Sequence, residues 1–487
     1  MKKFTKLFLL SVLISFGINC SAQIMKDIAQ NSTIDANVPK YSDVVMRSLS
    51  FRNDTFKFGS TLQNALDFHV TRLDWVYVRE GDGSYMKDFA AKGIKVGGTI
   101  NATPVDSSIS IQDINGKAQQ TPWLPGRYFI CVNNPVAFKY NLDNIKIGVD
   151  LGCISIQRDE PGFGNIEYSK SCCFCSFCKA KALSQGVNLN DAIQRKAFNK
   201  ASTIEFYKNL YSQANTYAGF ALGHSCNGGA RSWDDENYKE IFDEHNYRIA
   251  EMRDKTPDEV YNLSKESRLR NKAQLFQYTT RGDMDKSIQR KYIAIGYATG
   301  MIVMVPWDVY ISRAPRYFGV KEDYADVFGF VRCIGQAGYL DEYQDAAVGG
   351  YDLDETRYTT DPVGIISGNP QLSMFVRAKP GNEDAPVIVH MVKWDGSGSV
   401  KIKLLTKSFF DGGALNIKLW TPKPYNHSKH IKAEKKGNYK TLKLDRTGEM
   451  NVTVNGQWTE VDVPDLSPWG ILVVEKDNSD SRSKKRK

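Results

Sequence analysis

The chain has 487 residues, of which 41% are hydrophobic and 24% charged, and a formal net charge of +9. Three of the positive charges lie in the first six residues and a further net three in the tail 477–487, so the remainder carries about +3. A chain of this length exceeds one ordinary domain. The small remaining charge excess gives no support for nucleic-acid binding, although it is compatible with an anionic substrate.

The N-terminus has the pattern of a secretory signal peptide, at residues 1–22. Three lysines precede the apolar run LFLLSVLISFGI, and the small residues Ser21 and Ala22 follow it. The run is too short to span a membrane, so we expect cleavage after Ala22 and a secreted or periplasmic protein. Lipid attachment at Cys20 is the alternative. No later stretch is apolar enough to predict a transmembrane segment.

Residues 23–360 alternate β-rich runs with helical stretches, and the runs lack strict polar alternation. Strands of this kind, separated by helices, are typical of a closed parallel sheet. The pattern therefore predicts a (β/α)8 TIM barrel, whose active site lies at the carboxyl ends of the strands. The eight predicted strands are 68–78, 94–101, 127–134, 154–160, 219–225, 241–251, 273–280 and 301–311.

Residues 361–476 follow a different pattern. Period-2 apolar strands such as APVIVHMVKW and WGILVVEK are joined by Gly, Pro, Asn and Asp turns, without helices. This region predicts an antiparallel β-sandwich domain. A basic tail, expected to be disordered, follows at 477–487.

Polar residues stand at the carboxyl ends of several predicted barrel strands. Asp159 and Glu160 end the fourth strand and Glu251 ends the sixth, and glycoside hydrolysis needs such a pair of carboxyl groups. Strand parity places Asp159 on the same face as Ser155 and Gln157, toward the barrel interior, and Glu160 toward the rim unless a bulge turns both inward. Candidates for sugar binding, each with a structural role as the alternative, are Asn101, Asn134, His224, Trp307 and Asp308, with Trp75, Trp123 and Trp233.

Four cysteines occupy seven positions, at 172, 173, 175 and 178. Their C-x-C-x-x-C spacing presents thiolates on a tight turn that suits tetrahedral zinc, whereas disulfides between such close neighbours are geometrically awkward. Cys131 is the candidate for a further ligand from a distant strand. Four thiolates leave no open position for water, so we expect a structural zinc, and no organic cofactor is indicated.

The stretch GRYFICVNNPVAFKY, the acidic end of the fourth strand and the cysteine turn resemble the β-galactosidases of glycoside hydrolase family 42. The resemblance spans about residues 120–311 and includes the stretch RKYIAIGYATGMIVMVPWDVY. It implies that Glu160 is the general acid/base. It also implies a structural zinc bound by Cys131, Cys173, Cys175 and Cys178.

The chain departs from family 42 at two positions. Asp159 stands where the family has Asn, and Gln277 with Tyr278 stands where the family has its nucleophilic Glu. An amide and a phenol cannot form the glycosyl ester that a carboxylate forms. The second carboxylate must therefore come from another position, or the mechanism differs.

Two carboxylate pairs remain open. In the first, Glu160 is the acid/base and Glu251 its partner. In the second, Asp159 is the nucleophile and Glu251 the acid/base, a layout similar to several α-glycosidase barrel families. An Asp-Glu pair is also similar to hexosaminidases in which Asp orients the substrate and Glu protonates it.

The sequence thus predicts an exported glycoside hydrolase that acts on a polysaccharide or its oligosaccharides. Galactose- or fucose-containing, anionic or sulfated glycans are the candidate substrates. The alternative is a noncatalytic carbohydrate-binding surface protein derived from a glycosidase barrel, which the missing seventh-strand Glu favours. The sequence gives no indication of the oligomeric state.

Overall fold

The computed structural model describes thirteen stretches of the chain. They are residues 37–47, 62–79, 84–101, 103–122, 124–159, 173–229, 231–252, 254–278, 285–305, 321–353, 362–410, 414–424 and 446–477. The predicted signal peptide and nearly all of the predicted tail lie outside these residues. Within the described stretches, no helix combines the length and apolar character needed to cross a membrane.

Eight parallel strands close into a barrel, which confirms the predicted TIM-barrel fold. Each strand pairs with the next along the chain, and the first pairs with the eighth. The strands are β1 (Val45–Arg47), β2 (Arg72–Tyr77), β3 (Lys95–Ile100), β4 (Ser155–Arg158), β5 (Gly223–Asn227), β6 (Tyr247–Met252), β7 (Ala273–Tyr278) and β8 (Ile302–Val305).

One predicted strand is absent from the barrel, and others differ from the prediction in their bounds. Residues 127–134 form no strand but make isolated antiparallel bridges to the loop after β3. Their alternating apolar residues belong to that loop, because Phe129 packs with the cysteine cluster and Ile130 packs with the barrel core. The first barrel strand is instead β1, whose three residues are too few for a periodicity signal. The sixth strand begins at residue 247 rather than 241, after a short helix.

Helices connect the barrel strands. Several begin at a side chain that accepts hydrogen bonds from free backbone N–H groups, such as Asp191 and Thr256, and one ends at Gly219 in the left-handed conformation. The helices are α1 (Leu62–Asp67), α2 (Ser84–Ala91), α3 (Pro135–Asp150), α4 (Ser176–Ser184), α5 (Ala192–Ala218), α6 (Lys239–Asp243), α7 (Pro257–Leu269), α8 (Lys286–Thr299) and α9 (Lys321–Gln336).

The C-terminal domain contains a four-stranded and a six-stranded antiparallel sheet, as the predicted β-sandwich requires. Buried aliphatic residues such as Val376, Val389 and Ile402 form its own core. The strands are β9 (Gln344–Gly350), β10 (Val363–Ser367), β11 (Gln371–Ala378), β12 (Val387–Asp395), β13 (Val400–Leu405), β14 (Leu415–Trp420), β15 (Arg446–Glu449), β16 (Val452–Asn455), β17 (Trp458–Val463) and β18 (Trp469–Lys476), with a short helix α10 (Thr406–Phe410).

The six-stranded sheet starts earlier than the expected domain boundary at residue 361. Strand β9 pairs with β11, although its sequence QDAAVGG contains a single β-branched residue, Val348, and two glycines. The outer face of this sheet packs on the barrel helices. Trp469 lies edge-on to Phe330 of α9, with 4.8 Å between the ring centroids, and it stacks on Tyr297 of α8. One apolar core therefore continues from the barrel into the second domain.

Candidate active site and candidate metal centre

The inward-facing side chains of β4 precede the candidate catalytic residue Asp159. Ser155 Oγ contacts the hydroxyl of Tyr247 at 3.1 Å across the barrel, and Gln157 accepts a hydrogen bond of 2.9 Å from Thr99. Because side chains alternate along a strand, Asp159 continues this inward series. It lies just beyond the carboxyl end of β4.

A buried ion pair closes the barrel beneath Asp159. Arg72 and Asp74 are fully buried and lie 3.1 Å apart, and Tyr247 donates to the same carboxylate at 2.8 Å. Charged groups in such a place need both a partner and further hydrogen bonds. This polar floor leaves the carboxyl ends of the strands as the side from which a ligand can approach Asp159.

Asp159 is oriented by one phenol. The hydroxyl of Tyr77 donates to its Oδ2 atom at 2.8 Å, while Oδ1 has no hydrogen-bond partner among the described residues. Burial raises the pKa of Asp159, and repulsion from Glu251 raises it further. The hydrogen bond from Tyr77 and the charge of Arg47 oppose this rise in pKa.

Glu251 lies near the end of β6, and Asn227 lies between it and Asp159. Asn227, at the end of β5, donates from Nδ2 to Oε2 of Glu251 at 3.2 Å, and it also lowers the pKa of Asp159. Strands β4, β5 and β6 are consecutive neighbours in the barrel. The structure thus brings Asp159 and Glu251 close enough to influence each other's charge, with Asn227 beside both carboxyl groups.

A tryptophan in a rare backbone conformation supports this pair. Trp75 has a φ of 56°, at a point where the register between β2 and β3 shifts. Its indole N–H points to the Tyr77 hydroxyl at 3.3 Å, and the guanidinium of Arg47 lies 3.8 Å above its ring. A large residue with positive φ is costly, and such strain is concentrated at functional sites.

Gln277 completes the ring of polar groups. Its Cα pairs with that of Glu251 in the register of β6 and β7. The side chain is only 1% exposed, and neither its amide oxygen nor its amide nitrogen has a hydrogen-bond partner among the described residues. Buried amides are almost always hydrogen-bonded, so this side chain has unused capacity to bind a ligand.

Sequence reasoning did not identify three of these groups, Arg47, Tyr77 and Asn227. Arg47 lies on the strand that the periodicity did not reveal. Asn227 ends a strand that was predicted to stop at residue 225, so its position at a strand end was not apparent. Tyr77 lies inside a predicted strand, and only the inward parity that it shares with Trp75 at the β2 bulge distinguishes it from a core aromatic residue.

Three predicted sugar-binding residues have structural partners instead. The side chain of Asn101 accepts from the backbone and hydroxyl of Thr103, both at 2.9 Å. Asn134 caps helix α3 by accepting from Val136 N–H at 2.9 Å. His224 faces outward, where it stacks on Tyr211 of α5 with ring centroids 3.7 Å apart. These contacts are structural ones, within the loop after β3 for Asn101, at a helix start for Asn134 and against α5 for His224.

The other predicted residues divide into two groups. Trp233 is fully buried outside the barrel wall, and its indole N–H donates to Gln274 at 2.9 Å. It is therefore a core residue and not a sugar-stacking platform. The remaining predicted positions lie outside the described residues; they are Trp123, Glu160, Cys172, Trp307 and Asp308.

Four cysteine sulfurs form a compact buried cluster. The Sγ atoms of Cys131, Cys173, Cys175 and Cys178 all lie within 4.8 Å of one another. Cys131 Sγ is 3.4 Å from Cys175, 3.5 Å from Cys178 and 3.7 Å from Cys173. These separations are too long for disulfide bonds, which join sulfurs about 2.05 Å apart. The cluster could hold a metal ion.

The surroundings of the cluster suit a set of bound thiolates. Asn133 Nδ2 donates to Cys178 Sγ at 3.3 Å, and the backbone N–H of Cys178 donates to Cys175 Sγ at 3.5 Å. Apolar side chains including Ile111, Phe129 and Phe198 enclose the cluster. Donors to sulfur and a dry shell are the outer-sphere features that tune metal thiolate sites.

No protein-family model matches the chain, and no curated protein matches it. The resemblance to family 42 is therefore not supported at the level of the family. Solved structures do match over most of the chain. One is an α-L-fucosidase, isoenzyme 2 from Paenibacillus thiaminolyticus, with a TM-score of 0.56 and 9% identity, covering 90% of this chain and 100% of that chain.

A second solved structure is a GH30 endoxylanase from Clostridium papyrosolvens, with a TM-score of 0.46 and 12% identity, covering 92% of this chain and 99% of that chain. At these identities the comparisons concern the fold alone. The match to the α-L-fucosidase shows a shared overall fold, with the (β/α)8 barrel described above. The arrangement of polar groups at the top of that barrel is the basis for a functional proposal.

Proposed function

We propose that the protein is an exported glycoside hydrolase in which Asp159 and Glu251 are the catalytic carboxyl groups. The observation that carries the proposal is their convergence on Asn227 at the carboxyl ends of neighbouring barrel strands. This is the position at which barrel enzymes hold their catalytic residues. The fold shared with solved glycosidases favours glycosidic bonds as the target.

Asp159 suits the nucleophilic role. Tyr77 fixes one carboxylate oxygen, and the partner-free Oδ1 can attack the anomeric carbon. Glu251 would donate its proton to the leaving oxygen as the glycosidic bond breaks. In the second step Glu251 would remove a proton from water, which attacks the anomeric carbon and releases Asp159. This retaining mechanism requires the two carboxyl groups to lie about 5 Å apart.

The substrate class follows from two weaker observations. The α-L-fucosidase with a similar fold and the modest positive charge of the folded part favour fucose- or galactose-containing glycans with anionic substituents. Export rests on the signal pattern at residues 1–22, with lipid attachment at Cys20 as the alternative. The role of Glu160 as acid/base stays a competing prediction.

We also propose that the cysteine cluster binds zinc in a structural role. Four thiolates at about 2.3 Å from a tetrahedral zinc ion lie about 3.8 Å from one another. The distances from Cys131 to its three partners, 3.4 to 3.7 Å, are close to this value. The ion would fix the position of Cys173, which follows residues 160–172, the segment directly after Asp159.

Turnover of a panel of aryl glycosides and sulfated oligosaccharides tests the catalytic proposal. Wild type should be active, Asp159→Asn should lose at least about 1,000-fold in kcat, and Glu251→Gln about 100- to 10,000-fold. Azide should restore turnover to Asp159→Gly. NMR of the fresh product released by wild-type protein should show retention of the anomeric configuration. Full activity in Asp159→Asn would refute the assignment. Loss of activity in both Glu160→Gln and Glu251→Gln, with Asp159→Asn still active, would favour the competing pair.

The noncatalytic alternative predicts a different outcome. Gln277, at the strand end where family 42 has a Glu, is the observation that favours it. A carbohydrate-binding protein would bind an oligosaccharide from the panel and release no product in the wild type. Glu251→Gln would then change affinity without any change in turnover.

A further inference from the structure

A small cavity lies at the opposite end of the barrel from the carboxylates, where the second domain packs on it. Its volume is about 60 Å³, and its walls come from the amino ends of β7 and β8 and from β9 and β11. Tyr41, Arg268, Gly300, Tyr343 and Arg377 are among the lining residues. A space of this size holds a few water molecules and is far below the roughly 300 Å³ of the smallest drug-sized ligand pockets.

Two arginine side chains meet in this cavity. A Cβ atom placed on Gly300 would lie 2.7 Å from Nη1 of Arg268 and 3.0 Å from Nη1 of Arg377, which puts the two guanidinium groups beside each other. Like charges in a partly desolvated site repel strongly. They stay together only if other groups neutralise them.

Among the described residues, an acidic group forms an ion pair with only one of the two cations, although Asp345 also faces Arg377 across the β9–β11 pair. Asp345 lies 3.6 Å from Nη2 of Arg268 and also accepts from the hydroxyl of Tyr261 at 2.8 Å. The acid that lines the cavity, Asp341, accepts from the backbone N–H and hydroxyl of Ser42, both at 2.7 Å. Lys272, also in the wall, donates to the backbone carbonyls of Asp243 and His245.

Arg377 is left with unused donors. Its side chain is 2% exposed. Its Nη2 donates to the carbonyl of Tyr343 at 2.9 Å, and its face lies 4.8 Å from the ring of Tyr41. Nε and Nη1 have no hydrogen-bond partner among the described residues. A buried charged group with two unsatisfied donors is costly and indicates a partner of opposite charge.

We infer that this cavity is a binding site for one small tetrahedral oxyanion, sulfate or phosphate. The N–H edge of Arg377 and the adjacent guanidinium of Arg268 provide the planar donor groups that such oxyanions accept from. The bound ion would neutralise the second arginine and join the barrel to the second domain, because Arg268 lies on α7 and Arg377 on β11. This site is independent of the proposed glycosidase activity.

Equilibrium dialysis of the purified full chain against ³⁵S-sulfate or ³²P-phosphate tests the inference, with sodium chloride holding the ionic strength constant. We expect saturable binding of one ion per chain. Competition between the two ions would then show which is preferred. Absence of saturable binding of either ion to wild-type protein would overturn the inference.

Variants locate the site. Arg377→Met and Arg268→Met should each weaken binding at least tenfold. Arg290→Met is the matched control, because Arg290 also lies at the junction between the domains but is already paired with Asp326 at 2.7 Å; its binding should equal that of wild type. If Arg377→Met does not fold, Arg377→Lys keeps the charge without the fork of donors and should still weaken binding. Unchanged affinity in folded variants at Arg377 and Arg268 would refute the site.

Discussion

The hydroxyl of Tyr77 donates a 2.8 Å hydrogen bond to Oδ2 of Asp159, inside a ring of polar side chains at the top of the barrel. A donor to a carboxylate favours its ionised form. Burial and the nearby Glu251 act in the opposite direction and raise the pKa of Asp159. The protonation of Asp159 is therefore set by a balance in which Tyr77 is the principal opposing group.

Replacing Tyr77 by Phe should shift the acid limb of the pH profile to higher pH. Without the phenol, the pKa of Asp159 rises, so the ionised nucleophile is lost at a higher pH than in wild type. The pKa of the acid limb in a plot of kcat/KM against pH, compared between Tyr77→Phe and wild type, measures this shift. Tyr261→Phe is the control, because it removes a 2.8 Å bond to Asp345 that lies far from the carboxylate pair. Equal acid limbs in all three proteins would contradict the role of Asp159.

Gln277→Leu should stabilise the protein and impair its activity. Its two buried amide atoms lack partners among the described residues, so an apolar side chain of similar volume removes a penalty of about 1–3 kcal/mol. If Gln277 binds sugar hydroxyls, the same change should lower kcat/KM at least tenfold. Chemical denaturation and steady-state kinetics provide the two measurements.

Gln274→Leu is the matched control on the same strand. Its Oε1 accepts from the indole of Trp233 and from Arg248, each at 2.9 Å. Leucine at this position would leave both donors unsatisfied, so we expect destabilisation of about 2 kcal/mol or more. A loss of stability in Gln277→Leu that matches the control would show that Gln277 has a structural partner.

Elemental analysis of purified protein should find about one zinc per chain. Cys175→Ser should lose most of the metal and lower the melting temperature, since three ligands bind zinc less tightly and the turn loses its cross-link. Cys153→Ser is the comparison, because this buried thiol lies outside the cluster; its zinc content should stay at the wild-type value. Thiol titration that finds the cluster oxidised to disulfides would contradict the metal site.

The sequence was sufficient for the barrel because seven of its strands overlap β-rich runs that helical stretches separate. It was insufficient for β1, where only Val45, Met46 and Arg47 pair with their neighbours. Because β1 was not predicted, Arg47 was not recognised as a strand-end residue. Because the fifth strand was predicted to end at residue 225, Asn227 was not recognised either. Residues predicted from strand ends alone, such as His224, turned outward because periodicity gives the alternation of faces but not the strand's starting phase.

The cysteine cluster was predicted more completely than the carboxylate pair. Metal ligands on a short turn are constrained by local spacing, and Cys131 was the candidate ligand from a distant strand, which the resemblance also implied. The carboxylate pair depends instead on how three strands align across the barrel. That alignment places Asn227 between Asp159 and Glu251, and no local pattern contains it.

The pH dependence of stability should reveal two histidines that are buried in their neutral form. Burial lowers the pKa of His224 to about 3 and, with a smaller opposing effect from the carbonyl of Ile241, that of His245 also to about 3. In the unfolded chain both imidazoles titrate near pH 6.5. Between these values the unfolded state binds more protons, so stability is fully present above about pH 6.5 and falls as the pH decreases toward 3.

Each histidine should therefore contribute a loss of about 2 kcal/mol between pH 6.5 and pH 5. His224→Phe keeps an aromatic ring against Tyr211, where the native rings stack 3.7 Å apart, but it cannot be protonated. The difference in unfolding free energy between pH 7.5 and pH 5, from urea titrations, should be smaller in this variant than in wild type by about that amount. An identical difference in both proteins would mean that His224 is protonated in the folded state, which its enclosure between Tyr211 and Asn215 opposes.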